Sequence, residues 1–377
     1  ASTSQKPLKV IDAISSYYKS YTANVHRALY SIGEKATDEY ENVRKLVKKI
    51  LNVPDSHSVV FTSGTTESIN LIAYSWGLKN LKETDSVLIT EMEHHSNIIP
   101  WQLITEKTNS SLNYIPLNKN GTLDTESIND EKFSSTKIIS ISHQSNVFGT
   151  INPIKNIIDK VKDMGVITLI DGAQAVPHLE VDLSELDPDF YVFSGHKMLG
   201  PTGVGVLIGR NELLEEMEPF MGGGEMINKV SMQDATWNEI PWKFEAGTPK
   251  IAQVIGLGAA INYLMNIGLD KVHSHEQSLL HYALNALEQN EDVILYGNPP
   301  DRGAVIPFNL KNIHPHDLSK FLDLDGICIR AGHHCAQPIM DYLKVPSTAR
   351  ISMNIYNDEN DIDQLLKGIE KTISTLN

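Results

Sequence analysis

Between about residue 56 and residue 210, short β-rich runs alternate with longer amphipathic stretches, and no other feature narrows the fold as far. The runs are Val59–Thr62, Ser86–Thr90, Lys137–Ile141, Val166–Ile170, Phe190–Phe193 and Val204–Ile208, with helical patterns beginning near Thr65, Ser96 and Pro153. This βαβ rhythm predicts an α/β fold with a mostly parallel central sheet and helices on both faces. Ligands of such sheets sit beyond the carboxyl ends of the strands. Thr62-Ser63-Gly64, Asp171, Ser194 and Lys197 all fall at strand ends, so the candidate chemistry gathers on one edge.

From about Ile251 the texture changes. Helical stretches at Ile251–Ile267 and Leu269–Gln289 lead to strands near Val293–Tyr296 and Ala304–Leu310, a helix near Asp317–Leu322, a strand at Gly326–Arg330 and a terminal helix from about Glu359. We expect a large domain over residues 22–260 and a smaller α+β domain from residues 1–21 and 261–377, a division that 377 residues can sustain. A net charge of −15 argues against nucleic acid or an anionic membrane as partner. No apolar run approaches the roughly 20 residues that span a bilayer, and no secretory signal is visible. Cys328 and Cys335 are too few for a disulfide framework, so a reducing cytoplasm is the expected location.

Ser194-Gly195-His196-Lys197 follows the run Phe190–Phe193. A lysine there, its pKa lowered by burial, can attack a carbonyl as the neutral amine. Asp171 ends the run Val166–Ile170, where a carboxylate can pair with a pyridinium nitrogen and make the ring an electron sink. The two together point to pyridoxal phosphate. Gly64-Thr65-Thr66-Glu67, between a strand and a helix start, is an ordinary N-cap alone and a phosphate site beside Lys197 and Asp171. In Glu93-His94-His95-Ser96-Asn97 an imidazole can stack on a planar ring. Zinc does not suit this stretch, because adjacent histidines rarely share one ion and no matching ligand spacing accompanies them. Arg330-Ala331-Gly332-His333-His334-Cys335-Ala336-Gln337-Pro338 sets a cysteine beside imidazoles and arginine, which favours the reactive thiolate. Cys328, inside Gly326–Ile329, reads as inert core packing. Arg350 can grip a carboxylate bidentately. Gly203-Val204-Gly205 and Gly222-Gly223-Gly224 match no nucleotide motif and read as turns.

These residues resemble the fold-type I pyridoxal phosphate enzymes of the aminotransferase class V group, and within it the group II (SufS-like) cysteine desulfurases, which also act on selenocysteine. The matching stretches are Asn24–Arg27, Thr62–Asn70, Met92–Trp101, His143–Gly149, Asp171–Val176, Phe190–Gly205, Phe244–Pro249 and Arg330–Pro338, in order along nearly the whole chain. Arg330–Pro338 separates group II from group I and from kynureninase-like relatives.

The resemblance implies that Lys197 carries the cofactor as a Schiff base, Asp171 pairs with its ring nitrogen, His94 stacks on the ring and Gln174 bonds the ring oxygen. It gives the phosphate to Thr65, Thr66, Ser194 and His196, with Thr248 supplied by the other subunit of a homodimer. Arg350 would bind the substrate carboxylate with Asn146 close by, His26 and Arg330 would line the pocket, and Cys335 would take sulfur from L-cysteine as a persulfide. A sulfur-acceptor protein of iron–sulfur cluster assembly is the implied partner. A selenocysteine lyase and a non-catalytic sulfur-relay scaffold are the alternatives, and the joint presence of Lys197, Asp171 and Cys335 weighs against the scaffold. Such relatives carry further residues before the motif that Ala1–Pro7 resembles, so a preceding segment is expected. Ser347–Met353 departs mildly from the pattern but keeps Arg350.

Overall fold

The computed structural model describes residues 2–27, 29–127 and 134–376. Seven strands form the main sheet: β1 (His57–Thr62), β2 (Ser86–Thr90), β3 (Ser111–Ile115), β4 (Thr136–Ser142), β5 (Ile167–Asp171), β6 (Phe190–Ser194) and β7 (Gly205–Arg210). Their order is β1-β7-β6-β5-β4-β2-β3. Strands β3, β2, β4, β5 and β6 pair in parallel, while β7 runs antiparallel to both β6 and β1. Two reversals cancel, so β1 points the same way as β6. The carboxyl ends of β1, β2, β4, β5 and β6 therefore share one edge.

The central strands read as continuous apolar runs because both faces are covered. Along β6, Phe190 and Val192 enter one core with Val60, Ile69, Val87 and Leu207, while Tyr191 and Phe193 enter another with Val59, Phe61, Ile141 and Val254. That alternation is the period-two pleat of a strand buried on both sides. The covering helices include α1 (Leu8–Ser20), α2 (Ser31–Ile50), α3 (Thr65–Ile72), α4 (Ile99–Thr108), α5 (Ile154–Lys162) and α6 (Ile251–Ile267). In α5 the buried residues Ile154, Ile157, Ile158 and Val161 keep helical spacing and make one apolar stripe. Helix α6 is apolar nearly all round, and α1 and α2 both pack on it.

A hairpin of β8 (Ile227–Val230) and β9 (Ala235–Trp237) precedes α6. After α7 (Leu269–Glu288) comes an antiparallel sheet of β10 (Val293–Leu295), β11 (Val305–Leu310), β12 (Arg330–Gly332) and β13 (Thr348–Ser352), in the order β10-β11-β13-β12. Helices α7, α8 (Pro315–Asp323) and α10 (Glu359–Leu376) share its core. Helix α9 (Gln337–Leu343) does not. Its Ile339 and Met340 bury themselves in the core of the large sheet, so the segment before it joins the two sheets.

One expectation fails here. The strand expected at Gly326–Arg330 begins only at Arg330, because β13 offers partners from Arg330 to Gly332 alone. Cys328 is accordingly an exposed residue ahead of the strand, not core packing. Among the described residues no single helix is long and apolar enough to cross a membrane.

Candidate active site

Asp171 ends β5 and Ser194 ends the neighbouring β6; a single 3₁₀ turn, Gly195–Lys197, then delivers the lysine. Asp171 is buried and accepts the Ala173 N–H at 2.9 Å. Burial pushes its carboxyl up, against the pull of Lys197. Burial also lowers the Lys197 ammonium; Arg350 and Arg330 add to this, while Asp171 and Cys335 oppose it. Behind Asp171, the Tyr191 hydroxyl and His143 Nδ1 lie 2.9 Å apart. Burial draws His143 down to about 4.

His94 follows the end of β2 on a turn that Ser96 fixes. The Ser96 N–H donates to His94 Nδ1 at 3.1 Å, and the Ser96 Oγ lies 2.6 Å from the same nitrogen. Burial, then the charge of Lys197, takes the imidazole down to about 3, so the ring is neutral at physiological pH. At the other end of the site, the first residue of α3 meets the end of β6. The Thr65 N–H donates to Ser194 Oγ at 2.9 Å, and the two hydroxyls lie 2.8 Å apart. A cavity of about 150 Å³ joins these parts, lined by Thr65, Thr66, His94, Asn146, Asp171, Gln174, Ser194, His196, Lys197 and Arg330.

The small sheet adds Arg330 to the cavity wall, while Arg350 and Cys335 are bonded around that wall without lining the cavity themselves. Arg330 on β12 lies directly opposite Arg350 on β13. Like charges in that position repel unless an acceptor intervenes. Ser2 Oγ accepts from both guanidinium groups at 3.0 Å. Arg330 Nη2 also donates to Cys335 Sγ at 3.2 Å, and Arg350 Nη1 to the Asn146 carbonyl at 2.7 Å. Arg350 is only 2% exposed. Its Nε has no partner among the described residues. Burial, reinforced by Arg330, pulls it down to about 9. A cation so placed calls for an anion.

Two expected residues lie elsewhere. His26 is exposed, with Nε2 2.9 Å from Glu41 Oε1. Thr248 is also exposed and borders a separate recess with Tyr40, Phe61 and Glu67. Neither lines the Lys197 cavity of its own chain.

The family model described as Aminotransferase class-V matches residues 1–365. The chain belongs to the class-V aminotransferase family. A class-V relative from Halalkalibacterium halodurans, named as a probable cysteine desulfurase, is 51% identical over 372 residues, 99% of this chain and 91% of the relative. A cysteine desulfurase from Thermococcus onnurineus superposes with a TM-score of 0.95 at 37% identity, covering 99% of this chain and 93% of its own. The cysteine desulfurase CsdA of Escherichia coli gives 0.92 at 35% identity, covering 100% and 94%.

Membership of the class-V family implies pyridoxal phosphate, and the residues fit it. Asp171 is a buried acceptor in want of a cation, Lys197 an amine lowered toward its neutral form, and Thr65 and Thr66 stand at a helix start suited to an anion.

Sequence reasoning missed Ser2, Ser96 and the Tyr191–His143 pair. Ser96 was findable, since a hydroxyl two residues from an imidazole is a local pattern. Ser2 was not, because more than three hundred residues separate it from both arginines.

Proposed function

We propose that this class-V protein is a pyridoxal phosphate-dependent cysteine desulfurase, converting L-cysteine to L-alanine and holding the sulfur as a persulfide on Cys335. The observation that carries the reading is the bond from Arg330 to Cys335 Sγ, which sets a thiol beside the cavity of Lys197 and Asp171. Cysteine desulfurases among the relatives and solved structures support it.

Pyridoxal phosphate, when bound, supplies an electron sink for the substrate α-carbon. Lys197 would hold the cofactor, and its Nζ takes the substrate Cα proton, for which its lowered pKa suits it. Asp171 would hold the ring nitrogen, neutral His94 would cover the ring and Gln174 would bond the ring oxygen. Thr65, Thr66, Ser194 and His196 hold the phosphate. Arg350 takes the substrate carboxylate starting from Nε, its one nitrogen without a partner among the described residues, with Asn146 beside it. The Cys335 thiolate then forms an S–S bond to the substrate sulfur as the C–S bond breaks. The electron pair stays with the carbon, which gains a proton and leaves as alanine. L-Cysteine and a thiol thus become L-alanine and a persulfide.

The wider assignments belong to the same reading. They are a cytoplasmic homodimer, Thr248 completing the partner's phosphate site, persulfide transfer to an acceptor protein of iron–sulfur cluster assembly, and domains over 22–260 and over 1–21 with 261–377. The exposure of Thr248, and of apolar Val230, Met232 and Trp237 on the hairpin region, favours a covered interface. Two free cysteines favour a reducing compartment.

The test is alanine release from cysteine in the presence of a reducing thiol. Cys335→Ala should keep the bound cofactor's visible absorbance and lose at least about 100-fold in rate, while Lys197→Ala should lose the absorbance itself. A Cys335→Ala enzyme that desulfurates cysteine at the wild-type rate would end the proposal, and one that acts on selenocysteine alone would turn it into a lyase.

A further inference from the structure

Cys335 sits on a loop that is held from outside. The His95 backbone N–H donates to the Cys335 carbonyl at 2.7 Å, and His95 Nε2 accepts the N–H of Gln337, first residue of α9, at 2.9 Å. These two bonds straddle the link between Cys335 and its helix. Inside the loop, Ala336 N–H reaches the His333 carbonyl at 2.9 Å. His334 and Cys335 both occupy the left-handed region, with φ of 54° and 57°. Side chains other than glycine rarely hold that region in succession without external support.

We propose that His95 is a positioning residue that clamps the cysteine loop, keeping the Cys335 thiol turned toward the cavity rather than toward solvent. For its effect on turnover, this rests on the desulfurase reading of Cys335; the clamp itself does not.

The Gln337 bond requires an unprotonated Nε2, so the proton of the neutral ring belongs on Nδ1. Burial, with the charge of His333 from the loop, lowers the His95 pKa from 6.5 and keeps the acceptor available at neutral pH. The titratable groups facing it are His333 and, on its own turn, His94. Protonation removes the acceptor and frees the Gln337 N–H. Asn146 Nδ2, which donates to the His334 carbonyl at 2.7 Å, still tethers the loop, so the loop relaxes without detaching.

The experiment uses holoenzyme carrying Cys328→Ser, so that one thiol reacts, with His95→Ala and His95→Gln built on it. Iodoacetamide labelling of Cys335 should quicken in H95A by about 5- to 10-fold, the weight of one neutral hydrogen bond. Alanine formation should fall by a similar factor, with KM for cysteine and the cofactor absorbance unchanged. Glutamine presents a carboxamide oxygen near the place of Nε2, so H95Q should recover most of both effects. As pH falls below 6.5, labelling of the parent relative to H95Q should rise, since only the parent loses its acceptor. Unchanged labelling in H95A, or an H95Q enzyme no better than H95A, would overturn the clamp whatever becomes of turnover. Lowered labelling with lowered turnover would also overturn it, as a collapsed site.

Discussion

Gly172 has no space for even one more carbon. A Cβ built there would lie 2.2 Å from the Tyr191 ring, whose hydroxyl is held by His143. The constraint is volume, since Gly172 is absent from the left-handed glycines of this chain. Substituting Gly172→Ala must displace either Tyr191 from its bond or Asp171 from the strand end. We expect a loss of about 1–3 kcal/mol in urea unfolding of the apoprotein, the usual cost of overpacking a core. Weaker cofactor binding should accompany it, seen as a higher midpoint in an absorbance titration. A Gly172→Ala protein with wild-type unfolding would mean that Tyr191 gives way freely. The same neighbourhood shows why Asp171 can serve as a fixed acceptor: the Ala173 N–H holds its carboxylate, and the Tyr191 ring leaves the adjoining backbone no room to move.

Strand β7 is the element that brings the two halves of the site together. Gly205 pairs with Thr62 of β1 on one side and Ser194 of β6 on the other. A Cβ there would come within 2.3 Å of the Gly64 Cα, a backbone atom that cannot rotate away. Gly205→Ala should therefore push the start of α3 off Ser194 and break the 2.9 Å bond from Thr65. Pyridoxal phosphate affinity should fall by about 5- to 150-fold, matching 1–3 kcal/mol of strain. Titration of the apoenzyme by absorbance measures it, and an unchanged midpoint would rule out this geometry. Asp171 and Lys197 were legible in the sequence because an apolar run buried on both faces stops abruptly at a polar residue, at Asp171 itself on β5 and at Ser194, three residues before Lys197, on β6. Edge strand β3 was not read, since its first four residues are exposed or only half-buried. Gly326–Ile329 misled because Ile327 and Ile329 do pack against the small core, but from a loop, with no strand to pair them. The Arg330–Ser2–Arg350 junction escaped because strand pairing across twenty residues and a contact from Ser2, ahead of the first helix, leave no local pattern.

Across the molecule, several neutral histidines make the fold sensitive to acid. Burial first, and neighbouring cations second where they are present, take His94 to about 3, His143 to about 4 and His334 to about 3, each below the ordinary 6.5. A histidine with a depressed folded pKa contributes stability that is complete above 6.5 and lost as pH falls toward the folded value. Glu93 has the opposite sign. Burial raises it to about 7, so its contribution is complete below 4.5 and lost as pH rises through 7. With His196, which burial and then Lys197 take to about 4, the histidines prevail between pH 6.5 and 5, and unfolding of the apoprotein at pH 5 should take up a net of about three protons. Calorimetry should show Tm falling across that interval; a flat Tm would mean these rings are already charged in the folded state. The reversed strand between β1 and β6 also bears on synthesis. While a ribosome is still making this protein, β1 has its neighbour nowhere in the emerged segment, because its partner residues extend to Arg210. The coenzyme's anion-holding corner thus forms only after more than half the polypeptide has been translated, and a nascent chain halted before then should carry Lys197 without the means to retain pyridoxal phosphate.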